Sequence, residues 1–185
     1  DLNEDEKALV KSYNLLTAKP VIYVANLDEE GVMDPDSVDY YNRVKEFAIQ
    51  DQSQVIALCA KMEEELSGLE KEEKDAFLEE LGVPYSGLDL LIKSAYSVLN
   101  LCTFLTAGED ECRAWTFKKG MKAPDCAGVI HTDFKRGFIR AEVYRFEDID
   151  QLETEAAIKE AGRLRLEGKD YVVQDGDIMH FRFNV

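Results

Sequence analysis

Two short polar stretches of this chain follow apolar runs and carry side chains that can recognise a planar ring. The run at residues 21–25 ends in Asn26-Leu27-Asp28-Glu29, and the run at residues 55–58 leads into Cys59-Ala60-Lys61. An amide both donates and accepts hydrogen bonds, so Asn26 can bond a purine at N7 and at a 6-amino group. Leu27 can pack on the face of the same ring.

The Glu29 carboxylate in the first stretch affects whether adenine or guanine is bound. In GTPases the corresponding loop reads N-K-x-D, and its Asp accepts hydrogens from guanine N1 and the 2-amino group. Glu29 is one methylene longer and would overshoot, and Leu27 replaces the Lys whose stem covers the base. Adenine offers a lone pair at N1, so losing the Asp removes a repulsion against adenine. The hypothesis is a site that favours ATP over GTP or discriminates weakly. The alternative is that Asn26 caps a turn and Glu29 is a solvated loop charge.

The residues that would hold phosphate or a metal are not indicated. The sequence contains no G-x-x-x-x-G-K-[ST] motif, whose backbone and Lys cradle a phosphate chain. We therefore expect no catalytic residue in this chain, no hydrolysis by these residues alone, and no tightly bound nucleotide. Four scattered cysteines without a C-x-x-C pair, and only two histidines, predict reduced thiols and no metal site.

A strand–helix–strand unit must position the two polar stretches. Residues 21–27 form a β-branched and aromatic run, typical of a strand buried on both faces, and residues 55–59 form a second strand. Between them, Asp34-Pro35 predicts the start of a helix that runs to about residue 49. The pattern predicts a parallel sheet, in which both strand ends meet at the edge where such folds bind ligands.

Helices surround this unit in the sequence. Apolar spacing predicts a helix over residues 2–18 that stops at Lys19-Pro20, because the residue before proline avoids the helical region. An acidic helix is predicted over residues 63–81. Ser86 is predicted to cap another helix over residues 87–99.

The pattern of predicted secondary structure changes near residue 100, where we place a domain boundary. Strands are predicted at residues 101–106 and 113–117 around the turn Gly108-Glu109-Asp110, and at residues 138–146. A short helix over residues 153–161 and a hairpin of residues 171–173 and 178–183 around Asp175-Gly176-Asp177 complete an α+β module. Its alternating aromatic side chains are predicted to form a core: Trp115, Phe117, Phe134, Phe138, Phe181 and Phe183.

The bulk composition is that of a soluble globular protein. No apolar run approaches the about 18–20 residues that span a bilayer, and the acidic N-terminus shows no signal peptide, which favours a cytoplasmic location without membrane partners. The net charge is −16. Residues 1–100 contribute −13 and residues 101–185 contribute −3, so only a local patch in the second part could meet phosphates, without DNA specificity.

Longer motifs carry a resemblance to a known family. They are Lys19-Pro20, Tyr23-Val24-Ala25-Asn26-Leu27, Cys59-Ala60, Tyr85-Ser86-Gly87-Leu88, Ala114-Trp115-Thr116, Ala123-Pro124, Gly128-Val129-Ile130-His131-Thr132-Asp133-Phe134, Gly137-Phe138-Ile139, Ala141-Glu142-Val143, Asp175-Gly176-Asp177 and Phe181-Arg182-Phe183-Asn184-Val185. Over essentially the whole chain the sequence closely resembles the YchF (Obg-like ATPase) family of translation-factor-class P-loop NTPases.

The resemblance implies a C-terminal fragment, which the missing initiator Met also fits. Residues 1–18 would be the end of a helical coiled-coil insertion, and residues 19–100 the last part of an α/β P-loop G domain with a parallel sheet. Residues 101–185 would be a TGS domain, an α+β β-grasp fold like ubiquitin. A truncated sheet would expose an edge that invites self-association.

The resemblance also implies a site and its ligands. Asn26 and Leu27 would contact adenine, Glu29 would complete an N-x-x-E motif, and Cys59-Ala60-Lys61 would fill an S-A-x loop whose backbone touches the base. In the complete family the ligand is ATP or GTP with Mg²⁺, and the reaction is hydrolysis of the β–γ bond.

TGS domains occur in proteins that act on tRNA, ribosomes or ppGpp, which suggests a second role. Clustered loop cations, with His131 beside them, could meet ribosomal RNA phosphates or a protein partner: Lys118, Lys119, Lys122, Lys135, Arg136 and Arg140. The alternative is that these are solvated turn charges and that His131 caps a helix. The chain would in one case be part of a ribosome-associated, ATP-preferring NTPase. In the other it would be a non-catalytic ribosome-, RNA- or protein-binding module.

Overall fold

The protein is described by a computed structural model that covers residues 2–108 and 111–184. It is an α/β structure that divides into two compact units, Asp1–Leu99 and Asn100–Val185. We call them unit 1 and unit 2. Glu109 and Asp110 of the predicted turn lie outside the described residues.

Unit 1 is built on two parallel strands. Its elements are α1 (Glu4–Ser12), β1 (Ile22–Asn26), α2 (Glu29–Met33), α3 (Asp39–Gln50), β2 (Gln54–Leu58), α4 (Ala60–Ser67), α5 (Lys71–Glu80) and α6 (Gly87–Val98). β1 and β2 pair in parallel from Ile22↔Gln54 to Asn26↔Leu58. The last residues of both strands therefore lie side by side, and the loops that follow them share one edge of the sheet.

Three predicted helix extents in unit 1 are wrong. α1 ends at Ser12, and Asn14 then adopts a left-handed φ of 57°, which a helix cannot continue through. The Asp34-Pro35 start gives a 3-10 turn, Pro35–Ser37, and the helix proper begins at Asp39. The acidic stretch is two helices, because α4 stops at Gly68 and Glu70 begins α5 with a capping box.

Burial of β1 on both faces is also wrong. Val24, at the middle of β1, is 46% exposed. Among the described residues β1 has β2 as its only strand neighbour, so its other edge is also unpaired. The buried cluster of unit 1 is formed by residues that follow β2: Cys59, Met62, Leu66 and Leu78.

Unit 2 is a five-stranded mixed sheet with helices on both faces. Its elements are β3 (Leu101–Ala107), β4 (Cys112–Lys118), α7 (Ala123–Ile130), α8 (Thr132–Arg136), β5 (Phe138–Arg145), α9 (Phe146–Leu152), α10 (Glu155–Glu160), β6 (Arg165–Glu167) and β7 (Asp177–Phe183). The strand order is β4-β3-β7-β5-β6, with β3 and β7 parallel and the other neighbours antiparallel.

Alternation along the strands supplies two cores. Phe104 is fully buried against Phe117 and Phe181 in a cluster that includes α7, whereas the next residue, Leu105, packs with Ile158 of α10 on the other face. The predicted core aromatics Phe117, Phe138 and Phe181 are buried, and Trp115 and Phe134 pack partly buried against them. Phe183 is half-exposed and stacks on Phe134 at 3.8 Å between ring centroids.

The short helix predicted over residues 153–161 is confirmed as α10, and α9, which precedes it, was not predicted. Glu153 adopts a left-handed φ of 61° and ends α9. Thr154 then starts α10, because its side chain accepts a hydrogen bond from the Ala157 N–H at 3.2 Å.

The hairpin predicted around Asp175-Gly176-Asp177 is also wrong. Val172 bridges to Lys122 and Tyr171 C=O accepts the Ala123 N–H at 2.9 Å, so this segment pairs beside α7 instead of with β7. The turn connects this segment to β3 and β7. Asp175 accepts the Thr103 N–H of β3 at 2.7 Å.

Asp177, only 1% exposed, anchors the other side of the same turn. It accepts hydrogen bonds from Tyr171 OH at 2.7 Å, the Gln174 N–H at 2.9 Å and Arg165 Nη2 at 3.2 Å. Burial, followed by the bond to Asp177, raises the pKa of Tyr171 to about 12. A buried carboxylate with this many donors is fully compensated for its loss of water.

Within residues 2–108 and 111–184, no helix combines the length and apolar character needed to cross a membrane. The four cysteines are unpaired. The same described ranges contain no cluster of three or more His, Cys, Asp or Glu that could hold a metal ion.

Candidate functional site

A cleft opens at the sheet edge where β1 and β2 end. It has a volume of about 700 Å³, which lies in the range of small-molecule sites. Its lining residues are Asn26, Leu27, Asp28, Glu29, Glu30, Cys59 and Lys61. The parallel register brings these residues together, since Asn26 lies opposite Leu58 and the Leu27 N–H donates to Leu58 C=O at 2.8 Å. Five of the six predicted base-binding residues thus share one crevice, and Ala60 is not among its lining residues.

One hydrogen bond ties the two strand ends together and orients the Asn26 amide. The Ala60 N–H donates to Asn26 Oδ1 at 3.0 Å. Because a backbone N–H can only donate, the amide oxygen must face Ala60, and the amide NH₂ must point the other way. Asn26 therefore offers donors to the cleft, which suits purine N7. The Asn26 oxygen keeps a second lone pair after this bond, so acceptance from a 6-amino group stays a prediction.

An ion pair crosses the mouth of the cleft. Lys61 Nζ lies 2.8 Å from Glu29 Oε1, and both side chains are at least half-exposed. The hydrogen bond to Glu29, with the attraction of that carboxylate, raises the pKa of Lys61. Glu29 is thus held by a side chain from the second loop.

Cys59 lines the cleft although it is almost fully buried. Its residue is 4% exposed, and its side chain packs in the cluster with Met62 and Leu66. That the loop touches a ligand through its main chain, so that a Ser-to-Cys difference matters little, stays a prediction.

The sequence argument missed Asp28. Its side chain accepts the Gly31 N–H at 2.8 Å and caps α2, so it turns away from a ligand role while it lines the cleft. The signal was present, because an Asp three residues before a Gly N–H is the spacing of a helix N-cap.

Glu63, in the first turn of α4, was also missed. Its carboxylate accepts the N–H of Gly87 at 2.6 Å and of Leu88 at 3.2 Å, at the start of α6. Two bonds to free N–H groups at a helix N-terminus are favourable for an anion. A Cβ at Gly87 would collide with the Leu58 side chain and approach Glu63, so glycine permits this close contact. Glu63 therefore fixes α4, which carries Lys61, to α6.

The cations predicted in unit 2 are spread over several elements. Lys118 ends the edge strand β4 and Lys119 follows it, Lys135 and Arg136 end α8, and Arg140 lies on β5, three strands away from β4. Four of the cations face carboxylates: Lys122–Asp170 at 2.7 Å, Lys135–Asp125 at 2.7 Å, Arg136–Asp133 at 3.1 Å and Arg140–Glu142 at 3.9 Å. Lys118 and Lys119 form no ion pair with a carboxylate of the described residues. The predicted cations therefore fall into two groups, four that are paired with carboxylates and two, Lys118 and Lys119, that are not paired within the described residues.

His131 has the local role that the alternative interpretation gave it. Its Nδ1 accepts the Asp133 N–H at 3.2 Å, which caps α8. The ring also lies edge-on to Phe134, with centroids 6.3 Å apart. Binding of a partner by His131 stays a prediction.

Comparison with known proteins places these features in a family. A family profile named YchF-GTPase_C, described as a protein of unknown function (DUF933), matches residues 101–184. The Ribosome-binding ATPase YchF of Bacillus subtilis (strain 168) is 57% identical over 185 residues, 100% of this chain and 50% of the relative. The protein of the same name from Escherichia coli O157:H7 is 46% identical, with the same coverage.

Solved structures agree with the sequence relatives. The Schizosaccharomyces pombe YchF GTPase is similar with a TM-score of 0.82 and 36% identity, over 98% of this chain and 48% of that one. A GTP binding protein from Pyrococcus horikoshii OT3 shares the fold at a TM-score of 0.60 and 19% identity, over 90% of this chain and 46% of that one. The chain spans about half the length of the curated relatives that it matches. The resemblance of the motifs is confirmed, and the chain belongs to the YchF family.

Proposed function

We propose that this chain carries the base-recognition part of a cytoplasmic YchF-type NTPase that prefers ATP and engages the ribosome. In this proposal residues 1–18 are the end of a coiled-coil insertion, residues 19–100 the last part of a P-loop G domain, and residues 101–185 a TGS domain. The longer protein hydrolyses the β–γ bond of the nucleotide with Mg²⁺. Relatives of 57% and 46% identity are named ribosome-binding ATPases, which supports the assignment.

The observation that carries this proposal is the bond from the Ala60 N–H to Asn26 Oδ1. It leaves the amide NH₂ of Asn26 as the donor that meets purine N7, with Leu27 beside it to pack on the ring. Purine N7 is an acceptor in adenine and guanine alike, so this contact selects purines without choosing between them.

The preference for adenine follows from two groups that are already engaged. The Ala60 N–H, which could otherwise donate to guanine O6, is bonded to Asn26. The Glu29 carboxylate, which could otherwise accept guanine N1–H and the 2-amino group, is paired with Lys61. The acidic lining from Asp28 and Glu30 is a poor environment for phosphate, so the cleft is suited to the base and not to the triphosphate.

The test is a titration of the ¹⁵N-labelled chain with AMP, followed by amide chemical shifts. We expect shifts at Leu27, Glu29 and Lys61, with weak affinity. Asn26→Asp keeps an oxygen for the Ala60 N–H but replaces the NH₂ donor by an acceptor, so it should weaken AMP binding by roughly tenfold or more while the fold is retained. Asn3→Asp is the matched control, because Asn3 lies outside the cleft lining and caps α1 through an oxygen that accepts the Glu6 N–H at 2.9 Å and that Asp retains. If AMP shifts no cleft residue, the proposal fails.

A second candidate function is docking to the ribosome or its RNA through unit 2. Lys118 and Lys119 favour it, because they alone among the predicted cations lack both a described carboxylate partner and a capping role. An unpaired exposed Lys can bind a phosphate without first giving up a neighbour.

Co-sedimentation of the whole chain with ribosomes tests this docking. Lys118→Glu/Lys119→Glu should reduce pelleting by about tenfold at low salt. Lys135→Glu/Arg136→Glu makes the same change of charge at cations that are already paired, and it should reduce pelleting much less. Equal pelleting of the two double variants would remove the unpaired lysines from the proposal.

A further inference from the structure

The ion pair between Glu29 and Lys61 is the one contact in the described cleft that joins opposite charges from its two loops. Glu29 begins α2 after β1, and Lys61 lies in the first turn of α4 after β2. The Nζ to Oε1 distance of 2.8 Å is that of a charge-assisted hydrogen bond. The pair therefore favours one orientation of a carboxylate that would otherwise turn freely among its rotamers beside the proposed base site.

The position of that carboxylate matters for the choice of base. Guanine presents two hydrogens on its Watson–Crick edge, at N1 and at the 2-amino group, and a free carboxylate can accept both. Adenine presents a lone pair at N1, which a carboxylate repels. A Glu side chain has three rotatable torsions, so a released Glu29 can fold back from the overshooting conformation.

Lys61 is held in place by the scaffold of unit 1. Its helix begins beside the Asn26–Ala60 bond and is fixed to α6 through Glu63, which accepts the Gly87 N–H at 2.6 Å. The backbone position from which the Lys61 side chain extends to Glu29 is therefore well defined. Glu65, one turn further along α4, is the other carboxylate that attracts it.

On this basis, and resting on the proposed base site, we propose that Lys61 is a specificity-determining residue: it holds Glu29 away from the base and so prevents recognition of guanine. Lys61 acts through Glu29 and need not touch the base. When the charge of Lys61 is removed, the Glu29 carboxylate can reach the Watson–Crick edge of the base. There it accepts hydrogens from guanine, which raises the affinity for guanine, and it repels the lone pair at adenine N1, which lowers the affinity for adenine.

The experiment compares AMP and GMP, whose identical phosphates cancel in the ratio of their affinities. Both ligands are titrated into the ¹⁵N-labelled whole chain and into Lys61→Met, which keeps the length of the side chain without its charge. We expect the affinity for GMP relative to AMP to rise by about tenfold in Lys61→Met. In Lys61→Met/Glu29→Gln the ratio should return to near that of the unmodified chain.

Lys45→Met is the matched control. Lys45 forms an exposed ion pair with Asp36 at 2.6 Å, outside the residues that line the cleft, so this variant changes the net charge equally and should leave the ratio unchanged. If AMP and GMP bind in the cleft and Lys61→Met leaves their ratio within twofold of the original, the role of Lys61 is wrong and the base site stands. If neither ligand shifts a cleft residue, both proposals are overturned.

Discussion

Unit 1 and unit 2 distribute their apolar residues in opposite ways. In unit 1 large apolar side chains such as Leu16 and Ile49 are 83% and 71% exposed, and the buried cluster around Met62 is small. In unit 2 the sheet is covered on both faces, and Phe104 and Met179 are 0% and 1% exposed. Unit 2 therefore carries the larger share of hydrophobic stabilisation, whereas the cleft with recognition chemistry lies in the less buried unit.

This difference shows how the two units can be probed separately. The only tryptophan of the sequence, Trp115, lies in unit 2 on β4, where its Nε1–H donates to Thr106 Oγ1 at 2.9 Å. Its fluorescence therefore reports the unfolding of unit 2. Self-association through the exposed edge of β1 stays a prediction, since unit 1 leaves Val24 uncovered among the described residues.

The largest expected effect is on the core of unit 2. Phe104→Ala removes a fully buried ring that contacts Phe117 and Phe181, and should lower the free energy of unfolding of unit 2 by about 3–5 kcal/mol. Urea unfolding followed by Trp115 fluorescence measures it. Phe47→Ala, which truncates a 55% exposed ring in unit 1, is the control and should leave this transition in place. A loss below about 1 kcal/mol would contradict the central role of Phe104.

An intermediate effect is expected at the contact that fixes α4 to α6 in unit 1. Glu63→Ala leaves the Gly87 and Leu88 N–H groups without their acceptor, at a cost of about 1–3 kcal/mol. Amide hydrogen exchange should become faster at these two N–H groups. Glu64→Ala removes an adjacent exposed carboxylate and should not change their exchange. Unchanged protection in Glu63→Ala would mean that water or another group replaces the carboxylate.

The smallest expected effect is a pH dependence in unit 2. The hydrogen bond from Arg182, with Nη2 at 3.1 Å, lowers the pKa of Glu142 below its ordinary value. The resulting stabilisation is present above the pKa of the unfolded chain, about 4.3, and is lost as the pH falls through the lower pKa of the folded state. For a partly exposed pair it amounts to less than about 1 kcal/mol.

Urea curves of Trp115 fluorescence between pH 3 and 6 should therefore show a shallower loss of stability for Glu142→Gln than for the unmodified chain. Glu160→Gln, at an exposed residue, removes the same charge and serves as the control. Parallel pH curves for Glu142→Gln and the unmodified chain would show that the Arg182 contact contributes nothing in solution.

The sequence predicted elements where one local signal dominated. The strands at residues 101–106, 113–117 and 138–146 and the helix capped by Ser86 appear with small changes of bounds, because apolar alternation and capping are local. The helix predicted over residues 2–18 failed where a residue outside the apolar pattern decided the outcome. Asn14 adopts a left-handed backbone conformation that composition does not reveal.

The cleft could be predicted in outline because parallel strands bring their ends to one edge. The state of its side chains could not. Whether Asn26 presents its oxygen or its nitrogen depends on the Ala60 N–H, 34 residues away along the chain. Whether Glu29 is free depends on Lys61. Both contacts join residues that are distant in the sequence, so no local motif indicates them. The contact between Glu63 and the start of α6 could not be predicted for the same reason.

The turn at Asp175-Gly176-Asp177 limits how this region can be redesigned. A loop graft that supplied any standard reverse turn would remove acceptors used by Thr103, Tyr171 and Arg165 together. The transplant would have to include those three donors, and Thr103 lies 72 residues before the Asp175 that accepts its N–H. Segments exchanged between homologues should therefore be chosen by shared bonding partners and not by turn length.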